Sequence, residues 1–192
     1  ANEDDATVIN HGYIEAGDDG INVAADATVV NTGTIRVTGD QDGIDIDSGT
    51  VTNSGLIEAL GVEDGIDIDA GAGDTTITNS GTILGHLAIN VDPGNTGVQT
   101  ITNSGTLRST GTTAIFTGDG DDVLRLAQGS RIEGEIDLGA GTDTLAVADN
   151  VAQALSFASL PETLEIAAPY LVSGSSLVTF DRAVLGMGDA LA

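Results

Sequence analysis

Apolar and polar residues alternate along this chain in short runs, and the runs return in a fixed order. The phrase Val51-Thr52-Asn53-Ser54-Gly55-Leu56-Ile57 has counterparts at 8–14, 29–35, 77–83 and 101–107; their asparagines, 10, 31, 53, 79 and 103, stand 21, 22, 26 and 24 residues apart. A second phrase, Gly43-Ile44-Asp45-Ile46, keeps step at 20–23, 65–68, 88–91 and 114–117. Alternation with a period of two, rich in Thr, Val and Ile and broken by Gly, Asn and Asp, predicts strands rather than helices. Repetition of the whole set predicts a solenoid. The expected fold is all-β, a right-handed parallel β-helix with three strands per coil of about 22 residues, rungs about 4.8 Å apart and a C-terminal cap.

Alternation also assigns side chains to faces. Ile21, Ile44, Ile66, Ile89 and Ile115 form one inward file, and Val23, Ile46, Ile68 and Val91 a second. Val8, Val29, Val51, Ile77 and Ile101 form a third; Ile14, Ile35, Ile57, Ile83 and Leu107 form a fourth. The asparagines Asn10, Asn31, Asn53, Asn79 and Asn103 are expected to stack as a corner ladder, their amides donating and accepting along the stack and their backbones tolerating positive φ. The glycine two residues after each is expected to permit the bend. Asn53-Ser54-Gly55 is not a glycosylation acceptor, because Gly stands where Ser or Thr is required.

Outward positions carry the charge. Glu15, Arg36 and Glu58 share one repeat position, so their signs alternate along the stack. Asn22, Asp45, Asp67 and Asn90 share another. Two carboxylates one rung apart repel by about 1 kcal/mol in bulk water and more at lower dielectric, which invites a cation or a salty medium.

From Gly118 the wording changes to Gly118-Asp119-Gly120-Asp121-Asp122 and then Gly139-Ala140-Gly141-Thr142-Asp143, 21 residues on, so the coil length continues. Coils are expected over 1–149 and a capping segment over 150–180. A short helix starting a linker is expected over 181–192, with Asp181 as N-cap and Val184, Met187 and Leu191 on one face.

The chain of 192 residues has 30 acidic residues against 5 Arg and no Lys, a formal charge of -25. A nucleic-acid partner is excluded on charge, since phosphates need a basic patch. Apolar residues make up 40% and aromatics 3%, which suits a narrow aliphatic interior. Without cysteine there is neither a disulfide frame nor a thiolate metal site. No apolar run is long enough for a membrane-spanning helix. The start, Ala1-Asn2-Glu3-Asp4-Asp5, has no initiator Met, and the chain is taken as a fragment or a processed product.

Candidate chemistry is sparse. Gly118-x-Gly120-x-Asp122-x-Leu124 and Gly139-x-Gly141-x-Asp143-x-Leu145 resemble calcium-binding RTX loops, lacking the first Gly. That makes Asp119, Asp121, Asp122 and Asp143 candidate calcium ligands, with Ca²⁺ the one cofactor considered. The alternative is that they are plain Gly-Asp corners. His11 and His86 fall at corner or variable positions and no Ser lies in a nucleophile elbow, so no catalytic residue is assigned. Asp45, Asp47, Asp67 and Asp69 can mimic the carboxylate cluster of polysaccharide-active β-helices, but acidic glycans would be repelled and aromatic sugar platforms are nearly absent.

Taken in order, the Ile-Thr-Asn-Ser-Gly-Thr-Ile coils, the stretch from Gly118 to Val147, the capping segment and the last residues, 178–192, resemble the C-terminal portion of a classical (type V) autotransporter passenger of the pertactin-like group. The resemblance implies a non-enzymatic, adhesive or structural stalk, displayed as a monomer at the surface of a Gram-negative bacterium. It implies as partners the protein's own C-terminal β-barrel translocator and the outer-membrane assembly machinery, besides a host or surface ligand of unknown kind. It also implies that the C-terminal coils promote folding during export. The barrel is missing from the sequence. The alternatives are a calcium-stabilised RTX-like module and a polysaccharide-active enzyme.

Overall fold

A computed structural model describes residues 5–71 and 73–181. The expected helix of 181–192 lies, beyond Asp181 itself, outside the described residues. Every described element is a strand. Nothing among the described residues forms a helix long and apolar enough to cross a membrane.

The chain winds as a parallel β-solenoid of about 22-residue coils. Its first face stacks eight strands in chain order, from Thr7–Asn10 through Ala27–Asn31, Gly49–Asn53, Thr75–Asn79 and Gln99–Asn103 to Thr163–Ile166. A second face begins with Tyr13–Ala16 and a third with Ile21–Val23. Three separate strands per coil hold for the first four coils. In the fifth and sixth, the second and third faces belong to one continuous strand, Thr106–Phe116 and then Arg131–Asp137. The corner there is a bulge: pairing jumps from Arg108 with Glu133 to Thr113 with Glu135, so five steps of one strand oppose two of the next. Gly134 makes the tight version possible at φ 140°, with room for no Cβ beside Ala114.

All four aliphatic files form in the expected register. Ile44, Ile66 and Ile89 lie one above another and are fully buried. Each such side chain contributes roughly 1.5–3 kcal/mol of gross burial, most of it offset by the entropy of ordering the chain.

The asparagine ladder forms as well. The Nδ2 of Asn10, Asn31, Asn53 and Asn79 each donates to the Oδ1 of the next asparagine at 2.8 Å. The same Nδ2 atoms reach the carbonyls of Thr34, Leu56, Thr82 and Thr106, while Asn10, Asn53 and Asn103 accept through Oδ1 from the N–H of the glycine two residues on. The ladder ends at Asn103, which donates to Ser130 Oγ. The expected backbone reason is corrected: the only described non-glycine residues at positive φ are Asp5 and Asp26. Nor are Gly33, Gly55, Gly81 and Gly105 at positive φ. They are glycines because rungs touch backbone to backbone there; a Cβ on Gly55 would lie 1.9 Å from Gly33 O, and on Gly81 2.0 Å from Gly55 O.

The alternating charges pair across rungs, Arg36 with Glu58 at 3.3 Å and, further up the same file, Arg108 with Glu133 at 3.3 Å. At the C-terminal end, Ala154–Phe157 adds to the third face in parallel. Ser176–Thr179 then pairs with it antiparallel and carries Tyr170–Ser173 as a hairpin partner. Phe157 and Leu177 close the core beneath the hairpin. The reversal of direction covers the third-face edge on which a further parallel rung would grow, while Thr163–Ile166 is the last strand of the first face.

Candidate metal centre

The third face concentrates carboxylates because its strands read Ile-Asp-Ile: flanking isoleucines point inward, which sends the aspartate out at the same height in successive coils. Asp45 and Asp67 are thus direct neighbours, with Asn22 below and Asn90 above. Asn22 Nδ2 donates to Asp45 Oδ2, and Asn90 Nδ2 to Asp67 Oδ1 at 2.7 Å. Asp69 joins them from the same coil as Asp67, and oxygens of Asp45, Asp67 and Asp69 lie within 4.8 Å of one another. Asp47 and Asp69 also line a shallow pocket with Ala25, Ser48 and Gly73.

A second acid file runs along the neighbouring corner. The N–H of Asp42 donates to Asp19 Oδ1 at 3.2 Å, that of Asp64 to Asp42 Oδ1 at 2.7 Å, and that of Leu87 to Asp64 Oδ1 at 2.7 Å. Each carboxylate therefore satisfies a corner amide of the next coil. Asp42, Glu63 and Asp64 also bring their oxygens within 4.8 Å.

Crowding and burial disfavour charge in both files. Burial, reinforced by the Asp42 carboxylate, pushes Asp67 up to about 8 against the bond from Asn90. Burial and then Asp69 push Asp45 up to about 6. Burial raises Asp42 to about 7, although the Asp64 N–H favours its ionised form. Asp69 is raised by burial and by its neighbour Asp47. An all-oxygen, partly exposed set of this kind suits a hard cation with a flexible shell, calcium above all. Asp45, Asp67 and Asp69 can supply three of its ligands, leaving water to complete the shell.

The aspartates marked by the RTX-like phrases have other partners. Asp122 and Asp143 point inward and are 0% and 3% exposed. Asp122 Oδ1 accepts from Gln99 N–H at 2.8 Å, Asp143 Oδ1 from Asp122 N–H at 2.9 Å, and Glu162 Oε2 from Asp143 N–H at 2.9 Å. Asp121 Oδ1 accepts from Thr142 N–H at 2.8 Å, and Asp119 is exposed. None of Asp119, Asp121, Asp122 and Asp143 belongs to an acid group with mutually close oxygens among the described residues. Burial pushes Asp122 up to about 6.

The Asp45–Asp67 pair is legible in the sequence as an outward file. The Asp42, Glu63 and Asp64 group escapes sequence reasoning; its one signal is the spacing of Asp19, Asp42 and Asp64, one coil apart in a corner of variable wording. Of the two histidines, His11 Nδ1 contacts Thr32 Oγ1 at 2.7 Å, and His86 Nδ1 stands 4.0 Å from Asp64 Oδ1.

Comparisons with known proteins returned nothing: no family model, no curated protein and no solved structure matches this chain.

Proposed function

We propose that this chain is the stalk of a type V autotransporter passenger, exported through the outer membrane and displayed at the cell surface as a non-enzymatic adhesive or structural element. The observation that supports it most is the uninterrupted parallel stack whose third face is closed at its C-terminal end by an antiparallel hairpin. A cap of that kind gives a chain emerging C-terminal end first a closed unit on which preceding coils can add one rung at a time. Nearest-neighbour stability of stacked repeats permits such stepwise growth. The partners of the proposal are the chain's own β-barrel translocator and the outer-membrane assembly machinery.

The test uses the complete gene product in a Gram-negative host. External protease should cleave the chain on intact cells, and deleting 150–180 should cut surface display several-fold while transcript levels hold. Cytosolic retention of the intact protein, or downstream coding sequence without amphipathic strands, would overturn the proposal.

A second reading, calcium stabilisation, is favoured by the convergence of Asp45, Asp67 and Asp69. At pH 8 and constant ionic strength, calcium at about 100 times its dissociation constant is expected to add about 2.7 kcal/mol, or roughly 5–10 °C in Tm. EDTA should reverse the gain and Asp67→Asn should abolish it. A Tm in calcium equal to the sodium-matched control removes the metal from the account.

A further inference from the structure

The first face differs from the others in what it shows to solvent. Thr7, Thr28, Thr50, Thr76 and Thr100 form one outward file in unbroken register over the first five coils. Ile9, Val30, Thr52, Thr78 and Thr102 form the adjacent file. Every one of these positions is β-branched and none is charged, on a chain with 30 acidic residues. Charge returns to the second file only at Arg125 and Glu165.

We propose that this face is an ice-binding surface. The ladder places hydroxyl and methyl groups at about 4.8 Å along the stack and about 6.7 Å across it. Both repeats stand within an ångström of the oxygen repeats on the prism face of hexagonal ice, so water ordered over the threonines can continue the lattice. Among the described residues, none of the eight threonine hydroxyls bonds to the protein, unlike those of Thr32, Thr38, Thr117 and Thr179. All eight are therefore open to an external partner. β-Branched side chains are stiff about χ1, which holds the array in one arrangement at small entropic cost. The acids of the other faces hold water as a hydration shell around charge, which confines lattice matching to this side.

Size argues against a folded protein partner. Five rungs at about 4.8 Å and five residues at about 3.4 Å make a patch of roughly 400 Å², half of what one side of a stable protein interface buries. A crystal surface needs no minimum area of that kind, because adsorption to a growing face is reinforced as ice advances around the bound molecule.

The proposal does not depend on export, and the purified chain suffices to test it. Single ice crystals grown in its presence should become faceted and show a gap between melting and growth temperatures. Thr78→Lys, at the middle threonine of the second file, should reduce the gap at least tenfold. Thr78→Val, which keeps the outline, should fold and retain a fraction of the gap, and Asp149→Asn on an exposed turn should leave it unchanged. Circular dichroism establishes that each variant is folded. Rounded crystals without a gap in the native chain would overturn the proposal, as would full activity in folded Thr78→Lys. A dimer in sedimentation that Thr78→Lys dissociates would also overturn it, by assigning the face to a second copy.

Discussion

Asn79→Ala is expected to destabilise the protein by about 3–5 kcal/mol, because it removes four hydrogen bonds of the buried ladder, each worth about 0.5–1.5 kcal/mol net. Asn53 Nδ2 loses its 2.8 Å acceptor and keeps the carbonyls of Gly55 and Thr82, Asn103 Oδ1 keeps the Gly105 N–H alone, and the Thr106 carbonyl loses the Asn79 amide. All lie inside the solenoid, where water does not replace the missing partner; Asn53, Asn79 and Asn103 are 0% exposed. Thermal unfolding should show a fall of roughly 6–20 °C, taking about 2–4 °C per kcal/mol for a chain of this size. Asn10→Ala, at the end of the ladder with one asparagine neighbour, should cost only about 1–2 kcal/mol. Equal losses at the two positions would show that the ladder does not act through stacking. The glycines give a companion contrast: Gly81→Ala forces a methyl to 2.0 Å from Gly55 O, whereas Gly12→Ala meets its nearest described atom at 3.9 Å. The first should push adjacent coils apart and the second should be nearly neutral.

Stability is expected to fall as pH rises from about 5 to about 8, the reverse of ordinary acid unfolding. Asp45 and Asp122 titrate near 6, Asp42 near 7 and Asp67 near 8 in the folded chain, against 3.8 for an unperturbed aspartate. Burial is the leading cause at each, so between about 4 and 8 the folded chain binds more protons than the unfolded one. The slope of unfolding free energy with pH follows the unfolded minus the folded proton count, and is negative here. The stabilisation is complete below the unfolded value and is lost as pH passes the folded values. A tenfold change in proton affinity is worth about 1.4 kcal/mol, but Asp42, Asp45 and Asp67 are partly exposed and crowd one another, so about 3–5 kcal/mol in all is expected. Tm should drop by roughly 6–20 °C from pH 5 to pH 8, and Asp67→Asn should raise Tm at pH 8 and flatten the profile. A Tm that climbs over this interval would show that the acid files are not crowded in the folded state.

Calcium and protons act on the same oxygens, which links this profile to the metal reading. If Asp45, Asp67 and Asp69 hold the ion, its stabilising effect is greatest at pH 8 and fades towards pH 5, where protons occupy the carboxylates.

The sequence by itself determined the coil period, the four aliphatic files and the asparagine stack. Period-2 alternation dictates which side of a strand Ile44 or Asp45 occupies, and a constant repeat brings like positions over one another. The same logic exposed the outward Asp45–Asp67 file. Tertiary structure alone decided what happens at the corners. There the coil length varies, and the contact partner of a residue is fixed by the length of the neighbouring coil rather than by its own surroundings in the chain. Hence Gly55 is required by the approach of Gly33 rather than by its φ, a constraint that Gly12, in the same phrase, does not share. For the same reason Asp122 and Asp143, candidate calcium ligands or plain Gly-Asp corners in the sequence, turn inward to meet amides one rung away, while Asp42, Glu63 and Asp64 converge.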